Sequence, residues 1–150
     1  MAIDLKLTQD SSGLYDISFE NGDFELVDNL ETALLMSIFY KQRASVDQVK
    51  VPQYRQGHFT DLVNDDIDYQ VGSLAWKFSE QVKVTEANIS LLEDTIRTDG
   101  LQWLIDDEIV DDITVNATIN NNNNITIDIA LKPLNEQNSK YYQIFLNTFN

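Results

Sequence analysis

Two alternating stretches separated by five asparagines constrain the fold more than any other feature of this sequence. Every second residue is apolar from Ile113 to Ile119, and again from Ile125 to Leu131. Because successive side chains of a strand point to opposite faces, each stretch predicts a strand with one apolar face. The asparagine run 120–124 is a polar loop. The sequence therefore predicts a C-terminal β-hairpin. Its polar face would carry Thr114, Asn116, Thr118, Thr126 and Asp128.

The stretch 28–43 predicts the central core helix on which strands can pack. Its apolar residues recur at helical spacing. They are Leu30, Leu34, Leu35, Ile38 and Phe39, with Ala33 and Met36 widening the stripe. Asp28 is the expected N-cap, and Glu31 suits the other half of a capping box. Lys41 and Arg43 would lie in the last turn, where cations meet free carbonyl groups.

The segment before this helix predicts two or three antiparallel strands. Apolar and polar residues alternate there, and Asn21-Gly22 is a strong signal for a tight hairpin turn. The alternating apolar residues are Ile3, Leu5, Leu7, Tyr15, Ile17, Phe19, Phe24 and Leu26.

A second long helix is predicted to begin at Thr85 as its N-cap and to end near 106–109. Gly100 lies inside this pattern, so we expect a kink or a close packing contact there. A short helix is expected within 71–78. The segment 44–68, interrupted by Pro52 and Gly57, is expected to form a loop over the core.

These elements predict an α+β fold, in which a small antiparallel sheet from the N-terminal and C-terminal hairpins packs on two main helices. Residues 1–133 are expected to form a single domain. The aromatic segment 134–150 is expected to dock, either on this chain or on a neighbour. It carries Tyr141, Tyr142, Phe145 and Phe149.

The net charge of −15 argues against binding to nucleic acid or anionic lipid. The absence of cysteine excludes disulfides, thiolate metal sites and a cysteine nucleophile. The N-terminus has no signal-peptide pattern, and no apolar stretch is long enough to cross a membrane.

No catalytic or cofactor motif is present in the sequence. His58 is the single histidine and lacks partners for a triad or a metal cluster. The acidic residues 106–108 and 111–112 lack the spacing of a calcium loop. We therefore expect no enzyme activity, no cofactor and no metal. Arg43 and Arg55 are scarce cations, each able to bond backbone carbonyls or a carboxylate.

The order of motifs resembles the small baseplate proteins of Mu-like contractile-tailed phages. A hairpin with Asn-Gly-Asp precedes the run Leu30-Glu-Thr-Ala-Leu-Leu-Met-Ser-Ile-Phe39. The segments 55–61, 72–76 and 101–104 follow, and then the C-terminal strand pair. The resemblance covers roughly residues 3 to 133. Where that family often has Gly-Trp-Trp-Gly-Asp, this chain has Gly57-His58-Phe59-Thr60-Asp61. Those proteins are similar in turn to the wedge protein that initiates the tail sheath.

The resemblance implies a structural role in the virion tail baseplate, assembled in the host cytoplasm. Multiple copies would surround a symmetric tail and contact wedge proteins, the sheath and possibly the tail tube. Arms of sheath subunits would add strands to the sheet. The expected wedge contacts are Arg43, Arg55, Gly57, His58, Phe59 and Asp61. The expected sheath contacts are Ile113, Val115, Ala117, Ile119, Ile125, Ile127, Ile129 and Leu131.

Two alternatives remain open from sequence. The charge of −15 would also suit a nucleic-acid mimic that blocks a DNA-binding host protein. Scattered carboxylates would suit a cell-wall hydrolase, although so many acids make any one pair uninformative.

Overall fold

The computed structural model describes residues 4–11, 14–27, 30–57, 71–120 and 124–147. Within these residues the chain forms nine strands and four α-helices. A 3₁₀ turn at Pro52–Tyr54 and a π-helical turn at Ile96–Gly100 complete the regular structure. The elements are β1 (Asp4–Leu5), β2 (Leu7–Gln9), β3 (Tyr15–Ile17), β4 (Phe19–Glu20), β5 (Asp23–Phe24), β6 (Leu26–Val27), α1 (Glu31–Phe39), α2 (Trp76–Glu80), α3 (Ile89–Thr95), α4 (Trp103–Asp106), β7 (Val110–Ile119), β8 (Asn124–Pro133) and β9 (Lys140–Asn147).

The C-terminal strands form an antiparallel sheet in the order β7-β8-β9. The predicted hairpin is confirmed, with Ile119 opposite Ile125 and Ile113 opposite Leu131. Alternate residues of β7 and β8 face the core, and the predicted polar set lies on the other face. The α+β prediction is therefore confirmed.

The third strand comes from the aromatic segment whose docking site the sequence left open. Residues 140–147 pair with β8, with Ile144 opposite Ile127 and Leu146 opposite Ile125. Ile144 and Leu146 are buried in the same core as the hairpin. This part of the segment thus docks on its own chain.

The core lies between this sheet and the helices. Leu34, Leu35 and Ile38 of α1 are buried, as the helical pattern predicts, but Met36 is exposed. The predicted bounds are wrong at the C-terminal end, because α1 ends at Phe39 and Tyr40 is extended. Lys41 and Arg43 therefore lie beyond the helix. The N-cap is Leu30, which makes no side-chain capping bond, so the prediction of Asp28 as N-cap is wrong. Asp28 itself lies outside the described residues.

The segment Gly72-Ser73 explains why α1 ends where it does. The Ser73 amide donates to the Tyr40 carbonyl at 3.0 Å, and the Ser73 hydroxyl donates to the Ile38 carbonyl at 2.7 Å. These bonds satisfy carbonyls that the end of a helix leaves without intrahelical partners. Gly72 has φ +87°, and a Cβ there would lie 2.0 Å from the Tyr40 oxygen.

The second helical region is shorter and more broken than its pattern predicts. Its first helix begins at Ile89, because Thr85 instead forms a turn in which its amide donates to Asn88 Oδ1 at 2.7 Å. The π-helical turn then ends at Gly100, whose Cα packs closely against Ser37 of α1. The predicted irregularity at Gly100 is therefore confirmed. A short helix is present as predicted, with Trp76 and Phe78 buried, but it runs from Trp76 to Glu80 and not from residue 71 to 78.

The six N-terminal strands form a three-way junction, here called the N-terminal β unit (residues 4–11 and 14–27). The unit has three extended segments, formed by β1 with β2, β3 with β4, and β5 with β6. Each segment pairs with one of the other two along one half and with the remaining one along its other half, which gives the pairs β1-β6, β2-β3 and β4-β5. At the centre the Lys6 amide donates to Glu25, the Glu25 amide to Ser18, and the Ser18 amide to Lys6. The predicted Asn21-Gly22 turn is confirmed, since both residues have positive φ between β4 and β5.

Side-chain bonds link the same three residues at the centre of the junction. Lys6 Nζ lies 2.6 Å from Glu25 Oε1, and the Ser18 hydroxyl donates to Glu25 Oε2 at 2.6 Å. The hydrogen bond to Lys6, and then that to Ser18, lowers the pKa of Glu25, while the same pair raises the pKa of Lys6. Thr32 of α1 donates to the Leu5 carbonyl at 2.5 Å and so ties the unit to the core helix.

No helix in the described ranges is long and apolar enough to span a membrane.

Candidate protein interface

Three of the predicted wedge-contact residues, Arg43, Arg55 and Gly57, lie close together in the loop that follows α1 and includes the 3₁₀ turn. The half-buried guanidinium of Arg55 donates from Nε to the Val49 carbonyl at 2.8 Å and from Nη2 to the Lys50 carbonyl at 3.2 Å. The expectation that this arginine bonds backbone carbonyls is confirmed. Arg55 thus links residues 49–50 to residue 55 within the loop.

Arg43 lies on the exposed side of the same loop. Its Nη1 donates to the Gln56 carbonyl at 3.0 Å, and the Ala44 amide donates to the Arg55 carbonyl at 2.9 Å. Gly57 has φ +125° and packs against the Arg43 side chain, so a Cβ there would lie 3.2 Å from Arg43 Cβ. The structure therefore brings Arg43, Arg55 and Gly57 together. His58, Phe59 and Asp61 lie outside the described residues.

Contacts from α2 fix this loop on the domain. Glu80 forms an ion pair with Lys41 and accepts a bond from Gln56 at 3.5 Å, and Gln81 donates to the Tyr54 carbonyl at 3.4 Å. The loop also exposes three apolar side chains, which the sequence-based set omits. They are Val46, Val51 and Tyr54. A loop that is tied to the domain and exposes apolar residues is suited to protein contact.

The predicted sheath contacts lie in the core of the domain. Six of their eight side chains are buried, and Ala117 and Ile119 are half-buried. The buried six are Ile113, Val115, Ile125, Ile127, Ile129 and Leu131. Their side chains pack on the helices and do not form a partner-facing surface. In addition, β8 is paired on both sides and offers no free backbone edge.

The outer edge of β7 is partly covered by α3. The Ala117 amide donates to Glu93 Oε1 at 2.8 Å, so this backbone group already has a partner within the chain. A carboxylate is an effective acceptor for an edge amide. Strand addition at this edge would have to displace Glu93.

The outer edge of β9 is open in the described structure. The Ala117 amide points away from β8, so the opposite residue, Ile127, directs its amide toward β9. Ile127 lies opposite Ile144, whose amide therefore points toward β8. Because amide directions alternate along a strand, the amides of Tyr141, Gln143 and Phe145 point away from β8. None of these three amides has a backbone partner among the described segments. This edge therefore presents a row of donors and acceptors to a further strand.

Exposed aromatic side chains accompany the open edge. Tyr141 is 80% exposed and Phe145 is 44% exposed on the polar face of the sheet. Between them Gln143 Nε2 donates to Asp128 Oδ1 at 2.7 Å. The aromatic composition of this segment indicated docking, but which aromatic ring faces outward became clear only from the strand register.

Two cavities flank α1. One of about 510 Å³ lies between the N-terminal β unit and the helix, and one of about 710 Å³ lies between α1 and the π-helical turn. Met36 and Asp4 line both cavities. Burial, and then the nearby Glu31, raise the pKa of Tyr15 in the smaller cavity. In the parts of the chain that are described, no group of three or more histidine or acidic side chains is placed to hold a metal ion.

Comparison with models of protein families shows which family this chain belongs to. The family model described as phage protein GP46 matches residues 30–138, more than two thirds of the chain. The chain belongs to the phage protein GP46 family. The matched segment of this GP46-family protein begins just before α1 and ends just before β9. A comparison with curated proteins gives no match.

Proposed function

We propose that this GP46-family protein is a structural subunit of a contractile phage tail baseplate. In this proposal it serves as a wedge subunit and sheath initiator, present in multiple copies around the tail, and it performs no catalysis. Its partners would be the wedge proteins, the sheath and possibly the tail tube. Membership in a phage protein family supports a role in the phage.

The open edge of β9 carries this proposal. An extended sheath arm could pair with the outward backbone groups of Tyr141, Gln143 and Phe145, because strand addition needs only main-chain donors and acceptors. The exposed rings of Tyr141 and Phe145 would then pack against alternate side chains of the arm. The edge of β7 is less suited, since Glu93 already occupies its Ala117 amide.

The arginine loop would form a separate contact with a wedge protein. Arg43 is exposed, and its anchorage to Gln56 leaves the rest of its guanidinium available for a carboxylate or carbonyl of the partner. Val46 and Tyr54 would supply apolar contact area beside it. This loop and the β9 edge are carried by different elements, so the two contacts can be tested separately.

A proline at the edge of β9 tests the sheath contact. Gln143→Pro removes an outward amide without removing a bond to β8, whereas Gln143→Thr keeps that amide. Both variants lose the bond to Asp128, which makes the threonine a matched control. In phage carrying each variant, we expect sheath on the baseplates with threonine and bare baseplates with proline. Equal sheath assembly would contradict the β9 proposal.

Cryo-electron microscopy of wild-type particles gives an independent test that does not depend on variant folding. A foreign strand alongside Tyr141–Phe145, in a ring beneath the first sheath layer, is the expected result. Density showing β9 uncovered, or this chain absent from the tail, would overturn the proposal.

A further inference from the structure

The sequence of β9 contains little that would prevent its open edge from pairing with another strand. Natural proteins guard an exposed edge with charged side chains, with proline or with a covering element. Lys140 is the only charged residue of β9, and residues 141–147 contain neither a charge nor a proline. At the other edge of the sheet, by contrast, Glu93 of α3 accepts a bond from the Ala117 amide. The edge of β9 is therefore the less protected of the two.

The outward backbone groups of β9 are complementary to those of a second copy of the same strand. Tyr141, Gln143 and Phe145 direct their amides outward, with Gln143 at the centre of the three. When two such strands run antiparallel with Gln143 opposite Gln143, each Tyr141 lies opposite the Phe145 of the other copy. Each of these pairs can then exchange two main-chain hydrogen bonds. A register shifted by two residues leaves one of the three outward positions without a counterpart among them, so the symmetric register forms the most bonds.

The side chains favour the same register. On the exposed face of the sheet, a tyrosine–phenylalanine pair would form on each side of the central Gln143 pair. Both rings are exposed in the single chain, so both have apolar surface to bury. Aromatic residues directly opposite each other are among the cross-strand pairs that stabilise a sheet. On the core face, Tyr142 would lie opposite Ile144 of the other copy, which is also an apolar pair.

We propose that the free protein forms a symmetric dimer, here called the β9 dimer, in which two β9 strands pair antiparallel about Gln143. The two three-stranded sheets would join into one continuous sheet. This interface uses the same surface on both copies and therefore closes after two chains. Pairing of β9 with β7 of another copy would instead extend without limit, but it would have to displace Glu93 from the β7 edge.

The net charge of −15 opposes association of two copies, but the acidic residues lie outside the proposed contact. None of the 25 aspartate and glutamate residues belongs to β9. At physiological ionic strength, salt screens exposed charges that are more than about 8 Å apart. Main-chain hydrogen bonds and ring contacts across β9 are not weakened in this way. The β9 dimer should therefore become tighter as ionic strength rises.

This inference does not rest on the proposed baseplate role, although both concern the edge of β9. A sheath arm that added to this edge would have to displace the second copy. Until then the dimer would shield the edge from nonspecific strand pairing. The two proposals can fail independently, because dimerisation is measured on the purified protein and sheath assembly is measured in phage.

Sedimentation velocity of the purified chain over a range of concentrations tests the dimer. We expect monomer and dimer without larger species, and tighter dimerisation at higher salt. Gln143→Pro removes the central outward amide of both copies and should raise the dissociation constant by about thirtyfold or more. Gln143→Thr keeps that amide and also loses the bond to Asp128, so it should stay within about fivefold of wild type.

Cysteine cross-linking tests the register, since the chain has no cysteine of its own. Gln143→Cys places two thiols directly opposite each other, at a Cα separation of about 5.5 Å that a disulfide can span. It should cross-link under mild oxidation. Asn116→Cys lies in the same row of the exposed face but on β7, and it should not cross-link. Tyr141→Cys should cross-link efficiently only when it is mixed with Phe145→Cys.

Four results would overturn the proposal. They are a wild-type protein that stays monomeric up to about 1 mM, unchanged dimerisation in Gln143→Pro, equal cross-linking of Gln143→Cys and Asn116→Cys, and assemblies that grow beyond two copies. The last result would assign β9 to pairing with the β7 edge of another copy. The cross-linking comparison remains decisive if Gln143→Pro fails to fold.

Discussion

Gly72 shows how a single backbone position fixes the end of the core helix. Its φ of +87° is accessible to glycine at little cost, and its Cα faces the Tyr40 carbonyl so closely that no side chain fits. The bonds from Ser73 to Ile38 and Tyr40 depend on this approach. The sequence shows a glycine here, but it does not show that the carbonyl lies against it.

Gly72→Ala should therefore destabilise the protein by more than about 3 kcal/mol, since it combines backbone strain with a clash against a main-chain atom. Gly22→Ala is the matched control, because φ is +83° there but nothing lies within 4 Å. It should cost only about 1 kcal/mol. Urea denaturation of both variants measures the difference, and similar losses would show that the close contact has no energetic role.

At the scale of elements, the N-terminal β unit depends on a polar centre, so its stability should vary with pH. The folded-state pKa of Glu25 is lowered, so its contribution is present above its unfolded pKa of about 4.3 and is lost as pH falls through the folded value. The pKa of Lys6 is raised, so its contribution is present below about 10.4 and is lost as pH rises through the folded value. Between these limits both partners stabilise the junction.

Amide hydrogen exchange at Lys6, whose amide donates to Glu25, should report this dependence. At neutral pH Glu25→Gln should lower protection of that amide relative to wild type. As pH falls below 4, the difference between the two proteins should shrink toward zero. A difference that stayed constant with pH would mean that the Lys6–Glu25 pair does not stabilise the unit.

Elements whose buried residues recur at one regular spacing could be predicted from the sequence. The hairpin β7-β8, the buried side of α1 and the Asn21-Gly22 turn could all be predicted, because local spacing determines them. The end of α1 could not, since residues more than thirty positions away cap it. Nor could the three-way junction, in which Lys6, Ser18 and Glu25 interrupt strands that alternation alone reads as continuous.

The candidate contact residues could be predicted only in part, for a related reason. The loop that joins Arg43, Arg55 and Gly57 carries a recognisable local mixture of cation, aromatic and glycine residues. By contrast, the apolar residues of the hairpin show which face of the sheet is apolar, but they do not show whether this chain or a partner covers it. The helices of this chain cover that face, and the open edge of the sheet is on β9.

At the scale of the whole molecule, β9 adds buried side chains to the core and also has an open backbone edge. Ile144 and Leu146 contribute buried side chains, and β9 forms a ladder along residues 124–131 of β8. A chain ending at residue 138 would lose both contributions and would expose β8, whose alternate residues are apolar, as a new edge. Because domains are stable by only about 5–15 kcal/mol, this loss should prevent cooperative folding.

The point variant Ile144→Ala should cost about 2–4 kcal/mol through the cavity that it leaves, while Tyr141→Ala on the exposed side of the same strand should change stability by less than about 0.5 kcal/mol. Thermal unfolding followed by circular dichroism measures all three proteins. If the chain ending at residue 138 melted cooperatively near the wild-type temperature, β9 would be an appendage and not part of the core. The expected loss instead means that a partner strand on β9 would bind to an element on which folding of the whole domain depends.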